Sequence, residues 1–392
     1  MTKTALIAGG GVAGTVAAIA LHRAGWSPRV FESRPAGVAD ERGAFLTVAV
    51  NGLAALRELG LDPARVLAAG FPTPTLAMSN GRGRRLAELP LGGPAADGTV
   101  TTTIRRADLY AALRDAAIER GIPIEYDRAL SGYADRPDGV TATFTGGATA
   151  TGDLLVGADG LRSRTREVLN PGGPAPAYLG LLNAGGFSTG PIDADFDRTP
   201  GLMHMAFGRR AFFGWTTAPD GSVWWFANPP RRQPARPGEF TPAAWKAYLI
   251  ELFASDDLPA AAIIRATAEA IGPWNTDDLR RVPVWHAGRV VLAGDAAHAV
   301  APSAGQGASM AIEDAVVLGR CLAELDLPEA LAAYERIRRP RVERVVAAGR
   351  RNGSGKSAGP VGAAVRDAMF PLFMKVLYRK GNPQAWILDH RV

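Results

Sequence analysis

Along the chain, short continuous apolar runs alternate with stretches of helical apolar density, a pattern that predicts an α/β protein. Residues 4–8 (TALIA) form one such run and lead into Gly9-Gly10-Gly11-Val12-Ala13-Gly14. Ala17, Ala18, Ala20 and Leu21 then continue at helical density as far as Gly25. Residues 27–32 (SPRVFE) return as a second strand ending in an acid. Two later runs close in the same way, one in Asp159-Gly160 and one in Gly294-Asp295; the second is followed by Pro302-x-x-Gly305-Gln306-Gly307 and another helix. Between about 178 and 228, short apolar strands alternate with Gly, Pro and Asp turns, which predicts an antiparallel sheet. A period of two places Met203, Met205 and Phe207 on one face with His204 on the other; Phe213 and Trp215 share a face, as do Trp224 and Phe226, opposite Trp225. Ala-rich helices follow from about 310 to 380, with Pro340 marking a break or kink.

Composition narrows the class. A length of 392 residues suits two to three domains or one large interleaved one. With 47% hydrophobic and 21% charged residues, neither a disordered chain nor a multi-span membrane protein fits. No apolar run approaches the roughly 18 residues a spanning helix needs. No secretory segment is read at the N-terminus, so a cytoplasmic location is expected. The single cysteine, Cys321, excludes an internal disulfide and multi-cysteine zinc sites, and reads as a buried structural thiol. Lys and Arg (44) outnumber Asp and Glu (38), and the pI near 9.7 would permit an acidic partner. Arginines such as those of Arg336-Ile337-Arg338-Arg339-Pro340-Arg341 are scattered through helices, however, and no base-stacking platform accompanies them. Nucleic acid is therefore not expected; an anionic small-molecule cofactor would use such arginines equally well.

The glycine segment supplies candidate chemistry. Strand, G-x-G-x-x-G and helix in succession let Gly9 make the tight turn, Gly11 admit a pyrophosphate to the backbone and Gly14 pack helix on strand. Val12 and Ala13 lie at the helix N-terminus, where free N–H groups favour phosphate. Glu32, followed by Ser33, stands where a carboxylate accepts both hydroxyls of an adenosine ribose. A 2′-phosphate there would meet a second negative charge, so FAD or NAD fits this site and NADP does not. Asp295 at a strand end could bind a polyol chain, and Gly305 and Gly307 expose N–H groups suited to a ring carbonyl. Glu313 and Asp314, in the first turns of the next helix, read as structural acids favoured by the helix dipole. No clustered ligands imply a metal.

The three segments together, Gly9-x-Gly11-x-x-Gly14 with Glu32, Asp159-Gly160 with Ser163 and Arg166, and Gly294-Asp295 with Pro302-x-x-Gly305-x-Gly307, resemble the single-component, FAD-dependent aromatic hydroxylases of the para-hydroxybenzoate hydroxylase type. Arg106-Ala107-Asp108-Leu109 also matches the family's arginine at the start of a helix beside the flavin. The likeness spans roughly residues 4 to 350 and thins between about 171 and 275. It implies an α/β fold with a Rossmann-like FAD-binding domain (1–70, 100–170 and 276–320), an antiparallel β-sheet substrate domain (71–99 and 171–275) and C-terminal helices (321–392).

It further implies that Gly9, Gly11 and Gly14 hold the FAD pyrophosphate, Glu32 the adenosine ribose and Arg106 the phosphate or ribityl region. Asp295 would bind the ribityl chain, and the loop from Pro302 through Gly305 and Gln306 to Gly307 the isoalloxazine edge. Asp159 and Arg166 would serve FAD and a transient NADPH or NADH, and Arg42 and Gly43 fall where relatives carry a loop over the flavin. The implied reaction reduces FAD with NAD(P)H, adds O₂ at flavin C4a to give a hydroperoxyflavin, and passes one oxygen to an aromatic or polyketide-like small molecule. No side-chain triad is then needed; His204 is a candidate for polarising a phenol, and His298 reads as a structural neighbour of the cofactor. Met203, Met205, Phe213, Trp215, Trp224 and Phe226 are candidates for the dry pocket wall. A monomer or homodimer is expected. The alternative keeps the scaffold without oxygen insertion, as a reductase, dehydrogenase or halogenase, although no W-x-W-x-I-P segment of halogenase type is found.

Overall fold

Thr4–Ala8 forms an inner strand of a six-stranded sheet, and every residue from Ala5 to Ala8 is apolar and buried. Parallel neighbours flank it, Ser27–Phe31 on one side and Leu154–Gly157 on the other, with Ile7 level with both Val30 and Val156. Val290–Leu292 extends the sheet beyond Leu154–Gly157, again in parallel. Strands covered on both faces need the continuous apolar runs seen in the sequence. Ala5 and Ile7 enter a core shared with helices Val12–Arg23, Arg106–Ile118 and Gly307–Glu324. Leu6 and Ala8 point the other way, onto Val140, Ala142 and Phe144 of a three-stranded antiparallel sheet. This computed structural model describes residues 2–37, 43–95, 97–279, 281–354, 360–379 and 381–392; Arg42 lies outside the described residues.

A second sheet has seven strands in the order Ile271–Asp278, Ala177–Ser188, Val223–Asn228, Phe212–Thr217, Leu202–Phe207, Thr75–Asn80 and Arg85–Pro90. Its strands pair antiparallel with one exception, the parallel match of Leu202–Phe207 with Thr75–Asn80. These two come from segments far apart in the chain, so no hairpin dictates their direction. The edge strand runs on to Asp278, a little beyond the boundary expected at 275. Helices Pro242–Phe253 and Ala260–Arg265 cover one face, where Phe253 packs on Phe213 with ring centroids 5.1 Å apart.

Of the break or kink expected at Pro340, a break does not occur: helix Leu327–Ser354 continues through it. Contacts on either side hold it: Arg338 meets Glu313 and Asp314, and Arg339 donates to the carbonyls of Val282 and Pro283. These offset the backbone hydrogen bond that proline removes. Helix Pro360–Tyr378 docks at the edge of the seven-stranded sheet, with Asp367 accepting from Asn80 (2.8 Å) and Phe370 against Phe207. No helix among the described residues is long and apolar enough to cross a membrane.

Candidate active site

The glycine turn shows why each position is glycine. Gly9 has φ +104°, and a side chain there would strike the Ala158 carbonyl at the end of the neighbouring strand. A side chain at Gly14 would collide with the Gly9 carbonyl, so the helix could not close on the turn. Gly11 is different. A Cβ there would meet only the Tyr110 hydroxyl, at 3.9 Å, and the helix that follows has no side-chain cap. The N–H groups at Val12 and Ala13 therefore face an open cradle at the positive end of a helix, a cradle that fits the pyrophosphate of FAD.

Glu32, nearly buried, leans over the same turn. One carboxylate oxygen accepts from Gly10 N (2.7 Å), and the other accepts from Ser33 Oγ (3.1 Å) and Arg34 N (3.0 Å). Ser33 thus helps orient Glu32 over the glycine turn.

The three turns meet in space. Gly294, with φ +59°, packs so closely on the glycine-turn helix that a Cβ there would lie 2.6 Å from the Ala13 Cβ. Ala293 N donates to Gly157 O (3.0 Å), and the buried Arg166 joins the second and third turns by donating to Leu161 O (2.7 Å) and Ala296 O (3.1 Å). Asp295 stands exposed at the head of the turn Asp295–His298, close enough to Arg106 to help hold that guanidinium's pKa above its ordinary value, after the larger effect of Tyr110. Arg106 Nε donates to Tyr110 Oη (2.8 Å), and Gly43, with φ +109°, sits against the Arg106 side chain. Tyr110 therefore links Gly11 to Arg106, a connection with no signature in the sequence.

Asp159 is tied into the second turn. Its carboxylate accepts from Ser163 Oγ (2.5 Å), Thr165 N (2.9 Å) and Thr165 Oγ1 (3.0 Å), all in its own loop. These bonds close the loop on which Asp159 sits. Gln306 is tied in as well: its side chain is buried and accepts from Asn51 Nδ2 (3.0 Å), so only its backbone faces outward. Around it, Pro302–Ala304 forms a single 3₁₀ turn, Gly305 is left-handed at φ +60°, and nothing approaches the place of a Cβ at Gly307. Helix Gly307–Glu324 likewise starts without a side-chain cap, which presents a second open helix N-terminus.

Beneath this loop lies an ion cluster that the sequence reading missed. Glu313 and Asp314 sit past the first turn of their helix, wholly buried, so the dipole does not explain them. Arg338 reaches both, Nε to Asp314 (2.7 Å) and a terminal nitrogen to Glu313 (2.7 Å), while Arg341 grips Glu313 with two nitrogens at 2.8 Å. Asp314 also accepts from Gly294 N (2.9 Å) and pairs with His298 Nε2 (2.5 Å). Burial pushes the Asp314 carboxyl up, but His298 and Arg338 outweigh it and hold it down at about 2. Asn51 bridges Gln306 and Glu313, joining the cluster to the glycine loop. His298 is accordingly a structural partner of the Asp295 turn.

The two faces of the seven-stranded sheet sort the aromatic residues. Cross-strand register puts Met203 level with Thr216 and Trp224, and Met205 level with Gly214 and Phe226, all on one face. That face abuts the segment beside Arg106: a Cβ at Gly185 would lie 2.7 Å from the Ala44 Cβ, and Ala44 O accepts from Arg106 N. Phe45, Phe71 and Phe187 pack around Trp224 there, and the Arg105 guanidinium lies 4.6 Å from the Phe187 ring. Met203 and Trp224 are nearly closed off, whereas Met205 and Phe226 remain half-buried. Phe213 and Trp215 are on the opposite face with Trp225, under the helices, and so cannot share a wall with the other four. His204 is on that far face too, stacked on Trp215 and turned away from Met203, Met205, Trp224 and Phe226.

Comparison with known proteins agrees with this geometry. Residues 2–349 match the protein family described as FAD binding domain. The chain is 35% identical over 363 residues to the aurachin C monooxygenase/isomerase of Stigmatella aurantiaca, covering 89% of this chain and 88% of that one. It is 29% identical to the 6-hydroxynicotinate 3-monooxygenase of Bordetella bronchiseptica, covering 86% and 87%. Among solved structures, HpxO of Klebsiella pneumoniae in complex with FAD and uric acid superposes with a TM-score of 0.82 at 25% identity, covering 94% and 93%. The chain belongs to the FAD-dependent aromatic hydroxylase family of the para-hydroxybenzoate hydroxylase type, and it is a flavoprotein monooxygenase that takes FAD as its cofactor.

Proposed function

We propose that this monooxygenase oxygenates a hydroxylated aromatic small molecule, drawing electrons from transient NADPH or NADH and oxygen from O₂. The observation that carries the reading is the meeting of the three turns with one apolar sheet face, through Ala44 against Gly185. FAD, when bound, supplies hydride acceptance and oxygen activation. The chain supplies position and dryness. The helix start at Val12 and Ala13, with Arg106, neutralises the pyrophosphate; Glu32 takes the ribose and Asp295 the ribityl chain. The open helix start at Gly307, with Gly305, offers N–H groups to a flavin carbonyl, where developing negative charge needs donors already in place. Met205 and Phe226 wall the substrate side and keep water out.

Relatives are named for oxygenation of 6-hydroxynicotinate and of 3-amino-4-hydroxybenzoate, which favours a ring already made electron-rich by oxygen or nitrogen. Residues 71–99 and 171–275 act as the substrate domain and the remainder up to 320 as the FAD domain, in a monomer or homodimer working in the cytoplasm. The test is oxygen-electrode kinetics on the FAD-loaded protein with 6-hydroxynicotinate, 3-amino-4-hydroxybenzoate and a 4-hydroxyquinoline, each with NADPH and NADH. Ring-dependent O₂ uptake with an oxygenated product supports the proposal; reduction of the ring, or its dehydrogenation, without oxygen in the product overturns it in favour of a reductase or dehydrogenase.

A further inference from the structure

A cavity lies on the helix-covered side of the seven-stranded sheet, on the face opposite Met203 and Met205. It measures about 210 Å³, and its lining includes Ser79, Phe196, Asp197, His204, Trp215 and Leu258. The monooxygenase reaction leaves it unused, because His204 and Trp215 face each other across the ladder while Met203, Met205 and Thr216 point the other way.

Its polar groups are unusual for the back of a sheet. The His204 imidazole is 7% exposed and lies parallel to the Trp215 indole, with ring centroids 4.6 Å apart at 5°. Among the described residues, neither His204 Nε2 nor Trp215 Nε1 has a hydrogen-bond partner, although both are buried. Asp197 Oδ2 is 3.9 Å from His204 Nε2, too far for a hydrogen bond, while Asp197 Oδ1 accepts from Thr199. Burial pushes the His204 pKa down, against the smaller pull of Asp197, so at neutral pH the ring is uncharged and one nitrogen is an acceptor. A buried polar group left unpaired has lost its hydration without regaining a hydrogen bond. Two beside one cavity are a cost that a bound partner removes.

We propose that this cavity binds a compact one-ring aromatic alcohol, a second ligand site separate from the oxygenation site. The hydroxyl donates to His204 Nε2 and accepts from Trp215 Nε1–H, and the ring lies among Phe196 and Leu258. The volume agrees, since an apolar cavity of about 150 Å³ accommodates benzene and a hydroxyl adds little. An occupant would touch the strand that presents Met203 and Met205 to the substrate side, which gives it a means of acting on the oxygenation site.

The test is ¹⁹F NMR titration of the FAD-loaded protein with 4-fluorophenol, read as binding so that it does not depend on turnover. His204→Phe keeps a stacking ring but removes both nitrogens, Ser79→Phe fills the cavity, and Phe226→Ala alters only the opposite face. The expected result is a binding component weakened at least tenfold by His204→Phe, abolished by Ser79→Phe and retained in Phe226→Ala. Leu258→Trp, at a half-buried position of the lining, narrows the cavity and serves if either interior variant fails to fold, with a severalfold weakening expected. Binding that ignores the His204, Ser79 and Leu258 changes, or that vanishes in Phe226→Ala alone, overturns the proposal, as does the absence of binding to the parent protein.

Discussion

Arg338→Met tests whether the buried ion cluster supports the cofactor loop. Arg338 is fully buried, and all three of its nitrogens have partners: Asp314, Glu313 and the Met310 carbonyl. Methionine fills much of the same space and leaves two buried carboxylates with less positive charge. Removing one member of a buried ion pair costs about 3–5 kcal/mol. Glu313 keeps Arg341 and Asn51, and Asp314 keeps His298 and Gly294 N–H, so the lower end applies, about 3 kcal/mol. Unfolding entropy of about 2.1 cal/mol/K per residue gives roughly 0.8 kcal/mol/K for this chain, hence a fall in Tm of about 4 °C. Because Asp314 also anchors Gly294 next to Asp295, FAD should be held less tightly as well. Arg338→Lys, with one compact ammonium in place of a fork that reaches both acids, should recover only part of the loss. The assays are thermal melts followed by circular dichroism and FAD titration by flavin fluorescence. A Tm within 1 °C of the parent with unchanged FAD affinity for Arg338→Met would refute the reasoning.

Four other variants probe the ion cluster, the glycine turns and the sheet face. The Asp314 carboxyl is held at about 2, below its ordinary 3.8, so its contribution, about 2 kcal/mol, is complete above pH 4 and is lost as pH falls from 4 towards 2; Asp314→Asn should flatten the stability profile in that window, measured by urea unfolding at several pH values. Gly14→Ala places a methyl into the Gly9 carbonyl and should lower FAD affinity at least tenfold, seen as loss of the yellow colour on gel filtration, whereas Asp295→Ala should weaken retention without disturbing the fold. Gly214→Ala would drive a Cβ into the Phe226 ring and should raise substrate KM severalfold while leaving FAD binding unchanged, by steady-state kinetics with the aromatic substrate.

Much of the nucleotide site was legible in the sequence because it is local. Gly9, Gly11 and Gly14 act within one turn, and the conflict a side chain would create at Gly14 is with the carbonyl of Gly9, five residues away. Period-two alternation likewise paired Met203 with Met205 and Trp224 with Phe226. It could not tell which pair shared a face with which, or which face met the turns, because alternation is symmetric until the register is known. Register put Phe213, Trp215 and His204 behind the sheet. The contacts of Asp159 were hidden for a related reason: an acid at a strand end looks the same in the sequence whatever donates to it, and the positions of Ser163 and Thr165 appear only in the fold.

The ion cluster shows a limit of another kind. Nothing near Glu313 and Asp314 in the sequence neutralises them, and their partners Arg338 and Arg341 lie on the next helix among arginines that look solvated. A signal was nevertheless present. Met310, Ile312, Ala315, Val317 and Leu318 make that stretch a buried one on all sides, and two adjacent acids inside it cannot remain ionised without cations of equal burial. The need for a partner was therefore readable even though the partner was not, and Arg338, set between its own buried neighbours Tyr334 and Val342, is where the fold supplies it.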